Sequence, residues 1–302
     1  MTGFIKDVIV AVKGFFMGAA NVVPGVSGGT IALVSGIYEE LISSLNSIMS
    51  PAPWKALLKG RFNEFWQGVH GRFLLWLFIG VIISVFSIAK IMEHELMYHP
   101  IQVWALFFGL IIASAFFMLR DIKGWKWIDV LVAAGGIVLG LTVCTLSPTS
   151  TPDTLWFVFI CGAIAICTMI LPGISGSFIL VILGKYDFIM SAVSDMNIPV
   201  LVTFAVGCGV GILAFAKFLH WLLSRAERQT MLVLVGFVIG SLVKVWPWND
   251  MASVSEAQIL RTGNAVSQID MQIPSAILWC VIGIAVITAV ELLGPKKKSS
   301  ED

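Results

Sequence analysis

The chain has 302 residues, 58% apolar and only 12% charged, with a mean hydropathy of +0.94. About a quarter of a water-soluble domain is charged, so this composition excludes an ordinary soluble enzyme or a disordered regulator and predicts an all-α polytopic membrane protein. A net charge of +1 gives no global field to draw in nucleic acid. The five cysteines lie in apolar stretches without CxxC spacing and read as small core residues.

In chain order, the first segment has Lys6, Asp7 and Lys13 interrupting its apolar run and no small-residue cleavage site, so no removable signal peptide is expected. Residues 8–45 are apolar but broken by Pro24-Gly25, which predicts a re-entrant hairpin turning back inside the bilayer. In the insertion at 50–72, Trp54, Leu57, Leu58, Phe62, Phe65 and Trp66 recur at helical spacing opposite Lys55, Lys59, Asn63, Glu64 and Gln67. That pattern predicts an amphipathic element along the membrane interface. Spans are expected at 73–92, 101–119 and 128–146, near the ~20 residues that cross a ~30 Å hydrocarbon layer. A second broken region, 155–192, is interrupted by Pro172-Gly173; its arms would reach only about 22 to 25 Å as helices. Further spans are expected at 200–223, 231–246 and 273–293, with a polar excursion at 248–272 and a tail at 296–302.

Loop charges set the orientation. With the N-terminus, the 50–72, 120–127 and 224–230 loops and the tail on the cytoplasmic side, thirteen Lys and Arg lie inside, against Lys185 and Arg261 outside. Both termini are therefore expected in the cytoplasm.

The chain also repeats itself. Pro24-Gly25-Val26-Ser27-Gly28-Gly29 realigns with Pro172-Gly173-Ile174-Ser175-Gly176-Ser177, and Gly36 and Tyr38-Glu39 then meet Gly184 and Tyr186-Asp187. Further on, Gly80, Ala89-Lys90, Gly109 and Ser114 match Gly207, Ala216-Lys217, Gly236 and Ser241. Each half, 1–147 and 148–295, reads as a hairpin plus three crossings, an odd number that starts the second half on the opposite side. Two inverted-topology repeats around interrupted helices form the architecture of alternating-access transporters, with the substrate near the midplane.

Backbone groups freed inside a bilayer must be buried in protein or line a wet cavity. At both turns, Pro and Gly leave N–H groups at a helix start, which attracts an anion and most readily a phosphate. Ser27, Thr30, Ser175 and Ser177 add hydroxyls, while Gly28, Gly29 and Gly176 let a ligand approach the backbone. The same turns could instead serve as tight re-entrant bends capped by serine, or hold a neutral solute or a cation, as in a small-ion channel or transporter. Lys90 and Lys217 occupy equivalent positions and either receive the phosphate at the two faces or snorkel to a helix end. Glu39 and Asp187 pair likewise, to carry a coupled proton or sodium ion or to sit at a helix end. Lys13 and Lys244 lack basic counterparts in the other half and are assigned no role. His70, His94, His99 and His220 show no metal-ligand spacing, so no metal site is expected.

The stretch from Gly18 to Thr30, including Asn21-Val22-Val23-Pro24-Gly25, together with Met169 to Phe178 and the Gly-x-Tyr-acid after each, resembles the bacterial PopT family of polyprenyl-phosphate transporters. The resemblance runs over about residues 8 to 293. It implies a non-enzymatic transporter of undecaprenyl phosphate, the carrier lipid of cell-wall synthesis, in the bacterial cytoplasmic membrane, without a cofactor. The headgroup would bind at Asn21, Pro24, Gly25, Ser27, Gly28, Gly29 and Thr30 and at Pro172, Gly173, Ser175, Gly176 and Ser177. The family often carries an aspartate where this chain has Asn21. Returning the lipid to the inner leaflet moves about two negative charges through a low-dielectric core, a cost that N–H dipoles and a basic residue would offset. A lipid phosphatase would need a nucleophile or histidine with a positioned base, and neither motif contains a histidine.

Overall fold

The computed structural model describes residues 3–22, 27–263 and 268–293, and all regular structure among them is helical. The first broken region forms α1 (Gly3–Val22), α2 (Gly28–Val34) and α3 (Tyr38–Met49). The insertion forms α4 (Pro51–Leu58) and α5 (Phe62–Gly68), followed by α6 (Gly71–Tyr98), α7 (Pro100–Asp121) and α8 (Trp127–Cys144). The second broken region forms α9 (Leu155–Ile170), α10 (Gly176–Ile182) and α11 (Tyr186–Ser194). The chain then runs through α12 (Ile198–Ser241), α13 (Met251–Thr262) and α14 (Ile273–Leu293). Helices α6, α7, α8 and α12 are long and apolar enough to cross a bilayer. This is a multi-pass membrane protein.

Each broken region holds three helices rather than a two-armed hairpin, because the returning arm ends at a glycine. Gly36 and Gly184 adopt left-handed backbone, with φ of +70° and +60°. Behind them Ile37 N–H donates to the Ala32 carbonyl at 3.0 Å and Lys185 N–H to the Leu180 carbonyl at 2.8 Å. These bonds close a helix on an αL glycine, and α11 leaves α10 at an angle of 110°. Lys185, expected in an outer loop, is instead buried at this turn, where its Nζ donates to Asp153 Oδ1 at 2.5 Å and to the Thr151 carbonyl at 2.6 Å. The insertion is likewise not one helix. Gly60, at φ +73°, separates α4 from α5, which pack together with the Trp54 and Phe65 rings 5.3 Å apart.

At ~1.5 Å per residue α12 would extend about 66 Å, twice the hydrocarbon thickness. Two helical segments meet at Ala226, whose φ of −145° and ψ of 51° are not helical, so the break falls inside the expected connection at 224–230 and is a tight bend rather than an extended loop. Arg228 fixes the kink. Its guanidinium donates to Asp129 at 2.6 Å and to the Lys123 and Gly124 carbonyls at 2.9 Å each, tying the bend to the α7–α8 connection. The helix stops at Ser241 rather than running to 246. Part of the polar excursion at 248–272 is the packed helix α13, whose Val254 sits with Ile101, Ala105 and Ala276.

Four helix pairs carry most of the packing: α1 with α6, α9 with α12, α7 with α14 and α8 with α12. The close approaches recur at matching positions. A side chain at Gly14 would strike the Leu77 carbonyl, and one at Gly162 the Phe204 carbonyl. Gly80 lies on the Ala11 carbonyl as Gly207 lies on that of Phe159, and Gly109 on Cys280 as Gly236 on Ala133. Small residues allow such backbone contact, and in lipid that contact rather than apolar burial holds helices together. The central core gathers Ala20, Leu33, Tyr38, Ile42, Leu77 and Leu219 around the first broken region.

Candidate functional site

Pro24 and Gly25 of the first motif lie outside the described residues. The rest begins at Ser27, which caps α2: its Oγ accepts the Gly29 N–H at 3.1 Å. Asn21 Oδ1, from the end of α1, accepts the Gly28 N–H at 2.7 Å, and the Thr30 N–H returns to the Ser27 carbonyl at 3.0 Å. The first three amides of α2 are therefore satisfied within the chain. Ser27 and Thr30 are both buried.

In the second motif, Pro172 and Gly173 are buried and Gly173 adopts φ +97°, open only to glycine without strain. The Ser241 side chain at the end of α12 lies directly against it. Ser175 caps α10 by accepting the Phe178 N–H at 3.2 Å, and its Oγ stands 3.2 Å from that of Ser177. The Gly176 and Ser177 N–H groups precede any intrahelical acceptor. Ser175 is half-buried and Ser177 exposed.

The two motifs touch. Ser27 Oγ donates across the gap to the Met169 carbonyl at 3.1 Å or the Leu171 carbonyl at 3.2 Å, groups freed where α9 ends. Thr30 Oγ1 accepts the Gly173 N–H at 2.7 Å. Gly29 packs on the Ile170 carbonyl so closely that a side chain there would collide with it. Thus the hydroxyls of the first motif hold the second motif's backbone, whereas in the second motif Ser177 reaches the surface, beside half-buried Ser175 and buried Gly176.

The charged candidates scatter. Glu39 and Asp187 are exposed in the first turns of α3 and α11, where the helix dipole favours an acid. Lys217 is exposed on α12; Lys90 lies on α6, with its side chain outside the described residues. Among the described residues, the hydrogen bonds given for the two motifs do not involve Glu39, Asp187 or Lys217. Among the described residues no three His, Cys, Asp or Glu side chains converge as a metal site requires.

Three basic residues gain importance from the structure: Lys185 and Arg228, which fasten turns, and Lys244. Lys244 Nζ lies 4.5 Å from the centre of the Phe178 ring, directly beyond the second motif. Its only signal in sequence is a cation at the end of an apolar run, which snorkelling would equally explain.

Residues 17–263 match the VCA0040-like family, described as undecaprenyl phosphate translocase-like. The chain belongs to this family. It is 43% identical over 245 residues to a polyprenyl-phosphate transporter of Vibrio cholerae, covering 80% of this chain and 78% of that protein. It is 31% identical over 254 residues to a polyprenyl-phosphate transporter of Staphylococcus aureus, covering 78% of this chain and 84% of that one. The matched span of the family takes in both broken regions and the kinked α12. No solved structure matches the chain.

Proposed function

We propose that this protein carries undecaprenyl phosphate from the outer to the inner leaflet of the bacterial cytoplasmic membrane, returning the carrier lipid for cell-wall precursor synthesis. The observation that carries the reading is the meeting of two broken helices within an apolar bundle, with the exposed Ser177 and the half-buried Ser175 at the start of the second returning helix. Hydroxyls and orphan amides there suit a phosphate monoester, and the names of the two relatives point to the same ligand class. An open cavity of about 410 Å³ near the end of α12, lined by Phe108, Leu242, Val243, Trp246 and Asn249, offers mainly apolar walls for an isoprenoid tail.

Transport proceeds by alternating access between two inverted repeats, 1–147 and 148–295, with both termini cytoplasmic. The recurrent glycine contacts support the repeats. Unequal burial at matching positions supports two exchanging states: Tyr38 is 2% exposed and Tyr186 38%. Motion down the lipid's own gradient needs no coupling; uphill transport would use a proton or sodium ion, with Glu39 and Asp187 as the acids to examine.

The small-ion channel reading relies on the same short helices, but the bonds from Ser27 and to Thr30 occupy the seam where ions would have to pass. A phosphatase lacks a base at either motif. The test is purified protein in proteoliposomes with polyprenyl phosphate in the outer leaflet. Protein-dependent loss of accessible lipid without release of inorganic phosphate is expected; loss matched by released phosphate, or ion flux with the lipid still fully accessible, would overturn the reading. Serine variants serve better than Gly28→Val or Gly176→Val, since a side chain at either glycine would press on Asn21 or on the Ala165 carbonyl and disturb the turn itself.

A further inference from the structure

We propose that Lys244 is the cation that binds the phosphate at the second broken helix. The inference rests on the lipid-phosphate reading above and adds a specific residue to it. Three observations lead to Lys244.

First, the end of α12 is moulded onto the second motif on both sides. Ser241 lies against Gly173, before the serines, and Lys244, one turn on, lies over Phe178, after them. The Lys244 N–H donates to the Ser241 carbonyl at 2.9 Å, which keeps the two contacts in register. Residues 241 and 244 thus touch the second motif at Gly173 and Phe178, the positions that flank Ile174 to Ser177 in the chain.

Second, Lys244 is half-buried, no carboxylate among the described residues lies within 4.0 Å of it, and its side chain packs on the ring of Phe178. An ammonium in such a place lacks the compensation that partly buried charges normally have. The acid that feels it, Asp250, is committed elsewhere: its oxygens accept the Ser253 N–H at 3.2 Å and the Ser253 hydroxyl at 2.6 Å, capping α13.

Third, two other basic side chains of the broken regions are engaged within the protein. Lys185 is bound to Asp153 and Thr151, and Lys13 donates to the Ser35 carbonyl at 2.6 Å. A phosphate monoester at Ser175 and Ser177 would give Lys244 the anion it lacks, and the ammonium would offset the charge that makes the headgroup costly in hydrocarbon.

The experiment measures binding of polyprenyl phosphate to the purified full-length protein in nanodiscs, for wild type, Lys244→Gln and Lys244→Arg. A charge-assisted bond predicts at least ~10-fold weaker binding in Lys244→Gln and a loss of no more than about threefold in Lys244→Arg. Equal affinity in Lys244→Gln would overturn the assignment while leaving the transport reading intact; absence of binding by wild type would overturn that reading itself. Inorganic phosphate is the second ligand. Displacement of the lipid by an equal concentration of the free anion would assign Lys244 to that anion and contradict the lipid assignment. Should Lys244→Gln not fold, acylation of Lys244 in wild type decides: polyprenyl phosphate is expected to slow it, and an unchanged rate would refute the proposal.

Discussion

The two copies of the Pro-Gly-x-Ser-Gly motif use similar residues for different work. In the first, Ser27 bridges to the end of α9 and Thr30 receives the Gly173 amide, so its polar groups are spent on the neighbouring hairpin. In the second, Ser175 caps its own helix and stands beside Ser177, which faces outward and brings a hydroxyl to the surface. A repeat thus supplies a clamp and a candidate binding edge from one motif. What separates them is the partner surface: carbonyls freed by Pro172 lie opposite Ser27, and nothing equivalent among the described residues faces Ser177.

The contrast can be broken by substitution. Gly29→Val should have the largest effect, because its side chain would enter the Ile170 carbonyl; little folded protein is expected in membranes, measured by size-exclusion profile. Thr30→Val leaves the buried Gly173 N–H without its acceptor and should cost about 1–3 kcal/mol, seen as a lower melting temperature in detergent, with transport per folded molecule within about threefold of wild type. Ser177→Ala should do the reverse. Stability should stay within about 0.5 kcal/mol, while affinity for polyprenyl phosphate falls about 3- to 10-fold with loss of one hydrogen bond. If Thr30→Val and Ser177→Ala had the same profile, the division of labour would be wrong.

The smallest effect concerns the far side of Lys244. The hydrogen bond from Ser253 is the largest influence holding the Asp250 carboxyl below its ordinary range, joined by backbone N–H bonds and the charge of Lys244 and opposed by burial. Such a group contributes stability above the usual carboxylate range and loses it as pH falls through its lowered value. Asp250→Ala should remove roughly 0.5–1 kcal/mol from the α13 cap, the low end for an exposed site, and make acid-side melting less steep.

Much of the frame was legible because lipid imposes strict rules. Apolar runs marked the long helices, and Pro24-Gly25 and Pro172-Gly173 marked the breaks. The break near Ala226 was legible as the charged interval between two apolar runs, but its tightness was not, since Arg225 and Arg228 look like loop charges until Asp129 and the Lys123 and Gly124 carbonyls are brought to Arg228. The second break in each hairpin was hidden because an isolated glycine in an apolar run does not disclose its φ. Lys185 reads as a free loop charge for a related reason: its partners, Asp153 and Thr151, lie more than thirty positions away. Lys244 escaped notice because its neighbour Phe178 belongs to another helix, and no repeat partner drew attention to it.

The most direct measurement is a structure of the protein with polyprenyl phosphate bound. The phosphate oxygens are expected within about 3 Å of the Ser175 and Ser177 hydroxyls. A headgroup seated on Asn21 and the first motif, with the Ser175–Ser177 edge empty, would contradict the account.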